Sequence, residues 1–313
     1  MIPFHPLFRN PHIQTIAAHF WKRPHADRPM ARRLFQTEPR IQVLVESQRP
    51  EEAAAGEIVM VHGLEGAGDA EYIRGLAALA LRSGYAAHRF HMRTCGGTEQ
   101  WADTLYHAGL TSDLAAVLRA MREEGCPPPF LVGYSLGGNV VLKLAGELGE
   151  SAAELVRGVC AVSTPLDLDA CARRLDARQN FIYQRRFVRR MKARLIATGR
   201  YSAADFAGVD SVRAIDDKIT APSFGFGDAT NYYRTQSAIG FLDAIRVPAL
   251  LIQAKDDPLA PFAIFESPVV RRNPRVQLLV TEHGGHLGFL GRGRVRFWLE
   301  RSILEWIRGI DSL

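Results

Sequence analysis

Residues 130–139 read Phe-Leu-Val-Gly-Tyr-Ser-Leu-Gly-Gly-Asn, and the way this stretch folds decides the architecture. Phe130 to Val132 is a short apolar run suited to a strand buried on both faces, and NVVLKLAGELG (139–149) has the pattern of a helix. Between them lies a Gly-x-Ser-x-Gly sequence, Gly133-Tyr134-Ser135-Leu136-Gly137. Its glycines permit a sharp strand-to-helix turn that pushes the Ser135 side chain into a strained, exposed position at the strand end. The helix beyond lends its N-terminal N–H groups to a developing negative charge. Five-residue patterns arise by chance. The strand before this one and the helix after it make it specific.

The same alternation continues on both sides. Upstream, IQVLVES (41–47), EIVMVHG (57–63) and GYAAHRFHMR (84–93) predict strands. YIRGLAALAL (72–81) and SDLAAVLRAMREEG (112–125) predict helices, the second capped by Ser112–Asp113. Downstream, LVRGVCAVS (155–163), VPALLIQA (247–254) and RVQLLVTE (275–282) predict strands, and RVRFWLERSILEWIRGI (294–310) a closing amphipathic helix. Short apolar strands separated by helices of ten or more residues indicate an α/β fold, with a mostly parallel central sheet covered by helices on both faces. The alternation breaks between 165 and 245, where the sequence is polar and helical. Sheet strands flank this stretch on both sides, so residues 1–164 and 246–313 are expected to form one core with an N-terminal arm. Residues 165–245 are then a helical cap insertion.

Composition narrows the class further. The chain has 313 residues, of which 47% are hydrophobic and 23% charged, a balance that excludes disordered, coiled-coil and collagen-like chains. No apolar run approaches the roughly 20 residues needed to span a bilayer. The N-terminal MIPFHPLFRNPHIQTIAAHFWKRP interrupts itself with Pro, Arg and His before any signal-like apolar region, so a soluble, cytoplasmic protein is expected. Cys95, Cys126, Cys160 and Cys171 are scattered without a CxxC pair and read as reduced thiols. No HExxH, phosphate-binding loop or GxGxxG is present, and His88 and His91 sit three apart on a strand, on opposite faces. No metal and no cofactor is expected.

A serine hydroxyl is a poor nucleophile. It needs a base, and the base needs an acid to orient it. Lys255-Asp256-Asp257-Pro258 places two carboxylates just past a strand end, where a parallel sheet presents functional groups. The next strand leads into His283-Gly284-Gly285-His286-Leu287-Gly288-Phe289. Each motif read separately is an ordinary polar turn or a solvated histidine. Ser, Asp and His in this order, each after an expected strand, point to nucleophilic acyl transfer. His62-Gly63-Leu64-Glu65-Gly66 follows the strand EIVMV, where this architecture supplies one oxyanion-hole N–H; the backbone amides of Leu64 and Leu136 are the expected pair.

With HGLEG, these elements resemble the α/β-hydrolase superfamily. NPHIQT (10–15), HGLEG (62–66), RTCGG (93–97), GYSLGGN (133–139), AKDDP (254–258) and EHGGHLGF (282–289) resemble its YheT-like branch of hydrolases and esterases across nearly the whole chain. The resemblance implies an ester hydrolase whose triad is Ser135, an aspartate of the DDP pair and His286. The spacing to Pro258 and Pro261 favours Asp257 over Asp256, and the Gly-Gly pair before it favours His286 over His283. It also implies a small-molecule ester substrate, with acylglycerols and phospholipids of short or medium chain among the branch's substrates.

Net charge is +6, and much of the excess falls in the insertion. Arg173, Arg174, Arg178, Arg185, Arg186, Arg189, Arg190, Lys192 and Arg194 crowd one segment, with Phe181, Phe187, Val188, Met191 and Leu195 at helical spacing through it. Packed over the strand ends, such a helix would turn Phe181, Phe187 and Met191 inward to line a pocket for an apolar acyl chain, and its arginines outward. Outward arginines suit water or an anionic membrane surface. No nucleic-acid module surrounds them, so nucleic acid is not an expected partner. Two rival functions remain, an acyl-CoA thioesterase and a lipid-surface binding protein with an inactive hydrolase core.

Overall fold

The computed structural model describes residues 2–312. Its strands are β1 (Ala31–Glu38), β2 (Ile41–Gln48), β3 (Gly56–Val61), β4 (Tyr85–Phe90), β5 (Phe130–Tyr134), β6 (Gly158–Val162), β7 (Ala249–Ala254) and β8 (Val276–Thr281). They form one sheet in the order β1-β2-β4-β3-β5-β6-β7-β8. β1 and β2 join antiparallel, and all strands from β4 onward pair in parallel.

The parallel strands β3, β5, β6 and β7 are buried along their length and predominantly apolar, which makes them legible in the sequence; β4 carries His88 and Arg89, and β8 is only partly buried. Along β3, Val59 and Val61 belong to one core cluster, while Ile58 and Met60 belong to the cluster on the opposite face. The first cluster packs under α3 (Ser112–Glu123) and α4 (Leu136–Leu148); the second under α2 (Glu71–Arg82) and α12 (Trp298–Asp311), while α5 (Ala152–Leu155) and α11 (Pro268–Arg272) are short connecting helices. This is the α/β-hydrolase fold.

Two elements leave no periodic signal in the sequence. β1 is an edge strand whose side chains are mostly exposed, so it carries no apolar alternation. The expected N-terminal arm contains a helix, α1 (Pro11–Phe20). Asn10 caps it, accepting from the amides of His12 and Ile13, and Pro11 occupies the first turn. One expectation is corrected. Ser112 and Asp113 do not cap α3; Asp113 is buried and takes the guanidinium of Arg93, Nε to Oδ2 at 2.5 Å.

Between β6 and β7 there is no strand. The segment holds α6 (Leu168–Leu175), α7 (Phe181–Ala197), the short helices α8 (Val212–Ile215) and α9 (Ala221–Ser223), and α10 (Ala229–Gln236), with a π-helical turn at Asp216–Thr220. Leu168, Ala172, Ala229 and Tyr232 at its two ends join the core cluster beneath α4. Residues in its middle, among them Tyr183, Val188, Met191, Leu195 and Phe206, form a separate cluster closed by Leu105 and Leu259 of the core.

Candidate active site

The strand–turn–helix at residues 130–148 puts Ser135 at φ +51°, a left-handed conformation that costs a non-glycine residue about 1–2 kcal/mol. The turn is tight enough to exclude side chains at its glycines. A Cβ on Gly133 would lie 2.3 Å from the carbonyl oxygen of Gly137, and one on Gly137 would lie 2.4 Å from that of Val61. The Ser135 amide donates to the Val162 carbonyl at 2.8 Å, tying the turn to β6.

Three loops after three parallel strands meet here. His286 Nε2 lies 2.9 Å from Ser135 Oγ, and His286 Nδ1 lies 3.0 Å from Asp257 Oδ2 and 3.1 Å from Oδ1. Asp257 is buried, and its Oδ1 accepts the amides of Leu259 at 2.8 Å and Ala260 at 3.0 Å, so the carboxylate is oriented by its own loop. The His286 amide donates to Thr15 Oγ1 of α1 at 2.8 Å. The N-terminal helix therefore helps to hold the histidine loop, through the last residue of the NPHIQT motif.

Asp256 and His283, the neighbours in each motif, form a second pair of their own. His283 Nδ1 is 3.1 Å from Asp256 Oδ2, and Asp256 Oδ1 accepts the Gly285 amide at 2.9 Å. This pair braces the histidine loop and does not reach Ser135.

The HGLEG loop passes in front of Ser135; a Cβ on Gly63 would sit 3.1 Å from the Ser135 Cβ. His62 is fully buried and anchors the loop. Its Nε2 accepts the Met92 amide at 3.1 Å, and its Nδ1 donates to the Gly63 carbonyl at 2.8 Å. Burial pushes its pKa down to about 3, so the ring is neutral and this tautomer is fixed. The Leu64 amide has no hydrogen-bond partner among the described residues, and the Leu136 amide is the first of α4, where helical N–H groups are free.

Ser135, His286, Leu64 and Leu136 open on a cavity of about 110 Å³, whose apolar wall includes Leu168, Leu175, Phe187, Met191 and Leu259. Phe187 and Met191 line this cavity. Phe181 does not: it is 61% exposed, because it begins α7 on the face turned away from the core. Arg194 also departs from the outward reading. It lies over the Tyr106 ring at 4.6 Å and donates from Nε to Glu65 Oε1 at 2.9 Å, closing one side of the cavity. The cavity wall also holds Asp216, whose Oδ2 accepts from Tyr233 Oη at 2.7 Å. Burial raises the Asp216 pKa to about 6. Arg194 is one arginine in a run of nine cations, and Asp216 follows the short helix α8, so neither carries a local signal in the sequence.

Residues 57–292 match the family model described as the alpha/beta hydrolase fold. YheT of Escherichia coli (strain K12), whose esterase label is itself provisional, is 34% identical over 96% of this chain and 91% of its own length. The chain belongs to the α/β-hydrolase family. Within it, the likeness to YheT places it in the YheT-like branch. A monoacylglycerol lipase of Saccharomyces cerevisiae is 25% identical over 80% of this chain, which spans 58% of the lipase. The solved Pyrococcus furiosus esterase Pf2001 superposes with a TM-score of 0.59 over 92% of this chain and 99% of its own, at 17% identity, a likeness of fold alone.

Proposed function

We propose that this hydrolase cleaves carboxylic esters with apolar acyl chains, using Ser135, His286 and Asp257 as a catalytic triad. The observation that carries the reading is the continuous line from Ser135 Oγ through the His286 ring to Asp257, at 2.9 and 3.0 Å, opening on a largely apolar cavity. Esterase and lipase names among the relatives support the reaction class.

In this reading Ser135 Oγ attacks the ester carbonyl while His286 Nε2 takes its proton. Asp257 accepts the Nδ1–H, holding the tautomer and stabilising the imidazolium. The amides of Leu64 and Leu136 donate to the oxyanion; removing one such donor typically costs on the order of 10²–10³ in rate. Collapse of the tetrahedral intermediate expels the alkoxide, which the imidazolium protonates, and leaves an acyl-Ser135. Water, deprotonated by the same histidine, releases the acid. Residues 165–245 serve as the cap, with Phe187 and Met191 against the acyl chain.

A fluorophosphonate probe tests the nucleophile directly. It should label Ser135 stoichiometrically, and Ser135→Ala should lose labelling and lower turnover of p-nitrophenyl acyl esters by on the order of 10⁵ or more. Labelling elsewhere, or a Ser135→Ala protein that melts normally and keeps a few per cent of its activity, would overturn the assignment.

A further inference from the structure

Ten large apolar side chains are exposed among the described residues, and seven of them lie on or beside two helices. Ile13, Ile16 and Phe20 form a stripe along α1, 50%, 41% and 72% exposed, and Trp21 continues it. On α7, Phe181, Ile182 and Ile196 stand on the outer face. The two helices touch: His12 Nδ1 lies 3.2 Å from Tyr183 Oη, and Arg186 donates to His19 Nε2 at 2.9 Å. Phe181 and its neighbours are thus one end of a surface that runs across both helices.

The cations of α7 occupy the same surface. Arg185, Arg189 and Arg190 are exposed and form no ion pair among the described residues, in contrast to Arg194, which is held by Glu65. Burial, then the nearby Arg190 and Arg189, lowers the Arg186 pKa, and burial with Arg186 and Arg190 lowers that of His19. Crowded like charges without partners raise the energy of the free protein, and an anionic surface removes that cost. Large apolar groups around unpaired arginines on adjacent helices match a bilayer interface, where apolar side chains enter the acyl boundary and cations meet phosphate. On its inner side the same α7 presents Phe187 and Met191 to the cavity.

We infer that the outer faces of α1 and α7 form a docking surface for an anionic lipid bilayer, beside the entrance to the catalytic cavity. Binding is independent of turnover, so the inference stands or falls separately from the proposed reaction. The full chain is sedimented with phosphatidylglycerol and with phosphatidylcholine vesicles, at low and high salt, alongside Arg185→Gln/Arg189→Gln/Arg190→Gln and Phe20→Ser/Phe181→Ser/Ile182→Ser variants. The chain should bind phosphatidylglycerol and not phosphatidylcholine, and high salt should release it. At roughly fivefold per arginine, the triple arginine variant should bind on the order of a hundredfold more weakly. The apolar variant should also lose at least about tenfold, because its side chains enter the acyl boundary. All six positions are solvent-facing, so both variants should melt like the wild type; if the apolar variant melts early, the arginine variant and the salt titration decide. Absence of phosphatidylglycerol binding, or arginine-variant binding equal to wild type, overturns the inference. So does self-association that the apolar variant abolishes without vesicle binding, which would assign the face to a second copy of the chain.

Discussion

Arg194 of helix α7 is bonded through Nε to both carboxylate oxygens of Glu65, at 2.9 and 3.1 Å, so one ion pair joins α7 to the HGLEG loop. Both side chains are almost fully buried, and Arg194 also donates to Thr94 Oγ1 at 2.8 Å. Glu65 itself sits at φ +53°, with its amide donating to Tyr106 Oη at 3.0 Å. Removing one partner leaves an uncompensated buried charge, which typically costs about 3–5 kcal/mol. Arg194→Gln should therefore lower the unfolding free energy by about that amount and slow ester turnover. The Arg194→Gln/Glu65→Gln double variant should recover part of the stability. Denaturant unfolding of the four proteins measures the coupling, and additive effects would mean that the pair is not a unit.

Asp256 and Asp257 have different duties, and conservative substitution separates them. Asp257→Asn removes the acceptor for His286 Nδ1–H and should lower kcat by on the order of 10⁴, with little change in melting temperature. Asp256→Asn keeps an oxygen for the Gly285 amide and loses mainly the charge facing His283, so its kcat should stay within about tenfold of wild type. The reverse ranking in a p-nitrophenyl ester assay would move the triad acid to Asp256.

Gly137 has no room for a methyl group. Its Cβ would approach the carbonyl oxygens of Val61 and His62 at 2.4 and 2.5 Å, and neither is a flexible side-chain end. Gly137→Ala should cost at least about 3 kcal/mol of stability and disable Ser135 by moving the turn. Normal melting with full activity would show that the turn relaxes freely.

Asp216 predicts a pH signature in stability. Its folded pKa of about 6 lies above the ordinary carboxylate value, so the folded chain binds the extra proton between roughly pH 4 and 6. Stability should then fall as pH rises through that window, by on the order of 2–3 kcal/mol for this group. Asp216→Asn keeps an oxygen for Tyr233 Oη, should remove this decline, and should be more stable than wild type above pH 6. Urea unfolding across pH 4–8 checks the slope; an unchanged slope in Asp216→Asn would assign it to another group.

The buried core of the molecule follows from local residue choice. Strands such as Ile58–Val61 are apolar on both faces because helices cover both sides, and the turn at Ser135 is written in glycines that sterics require. These are local demands of backbone and burial, so they leave local marks. Ser135, Asp257 and His286 come together for the same reason: each follows a strand of the parallel sheet. Which way each face of the basic helix points is fixed by long-range packing. Phe181, Phe187 and Met191 look alike as apolar residues in a run of arginines, yet one faces solvent and two line the cavity. Arg194 is chemically identical to Arg189, and burial beside Glu65 gives only the first a partner. Thr15 reaches His286 across more than two hundred residues, a contact set by where α1 docks. Side-chain direction and long-range pairing depend on the surface that a helix packs against, and that surface exists only once the chain has folded.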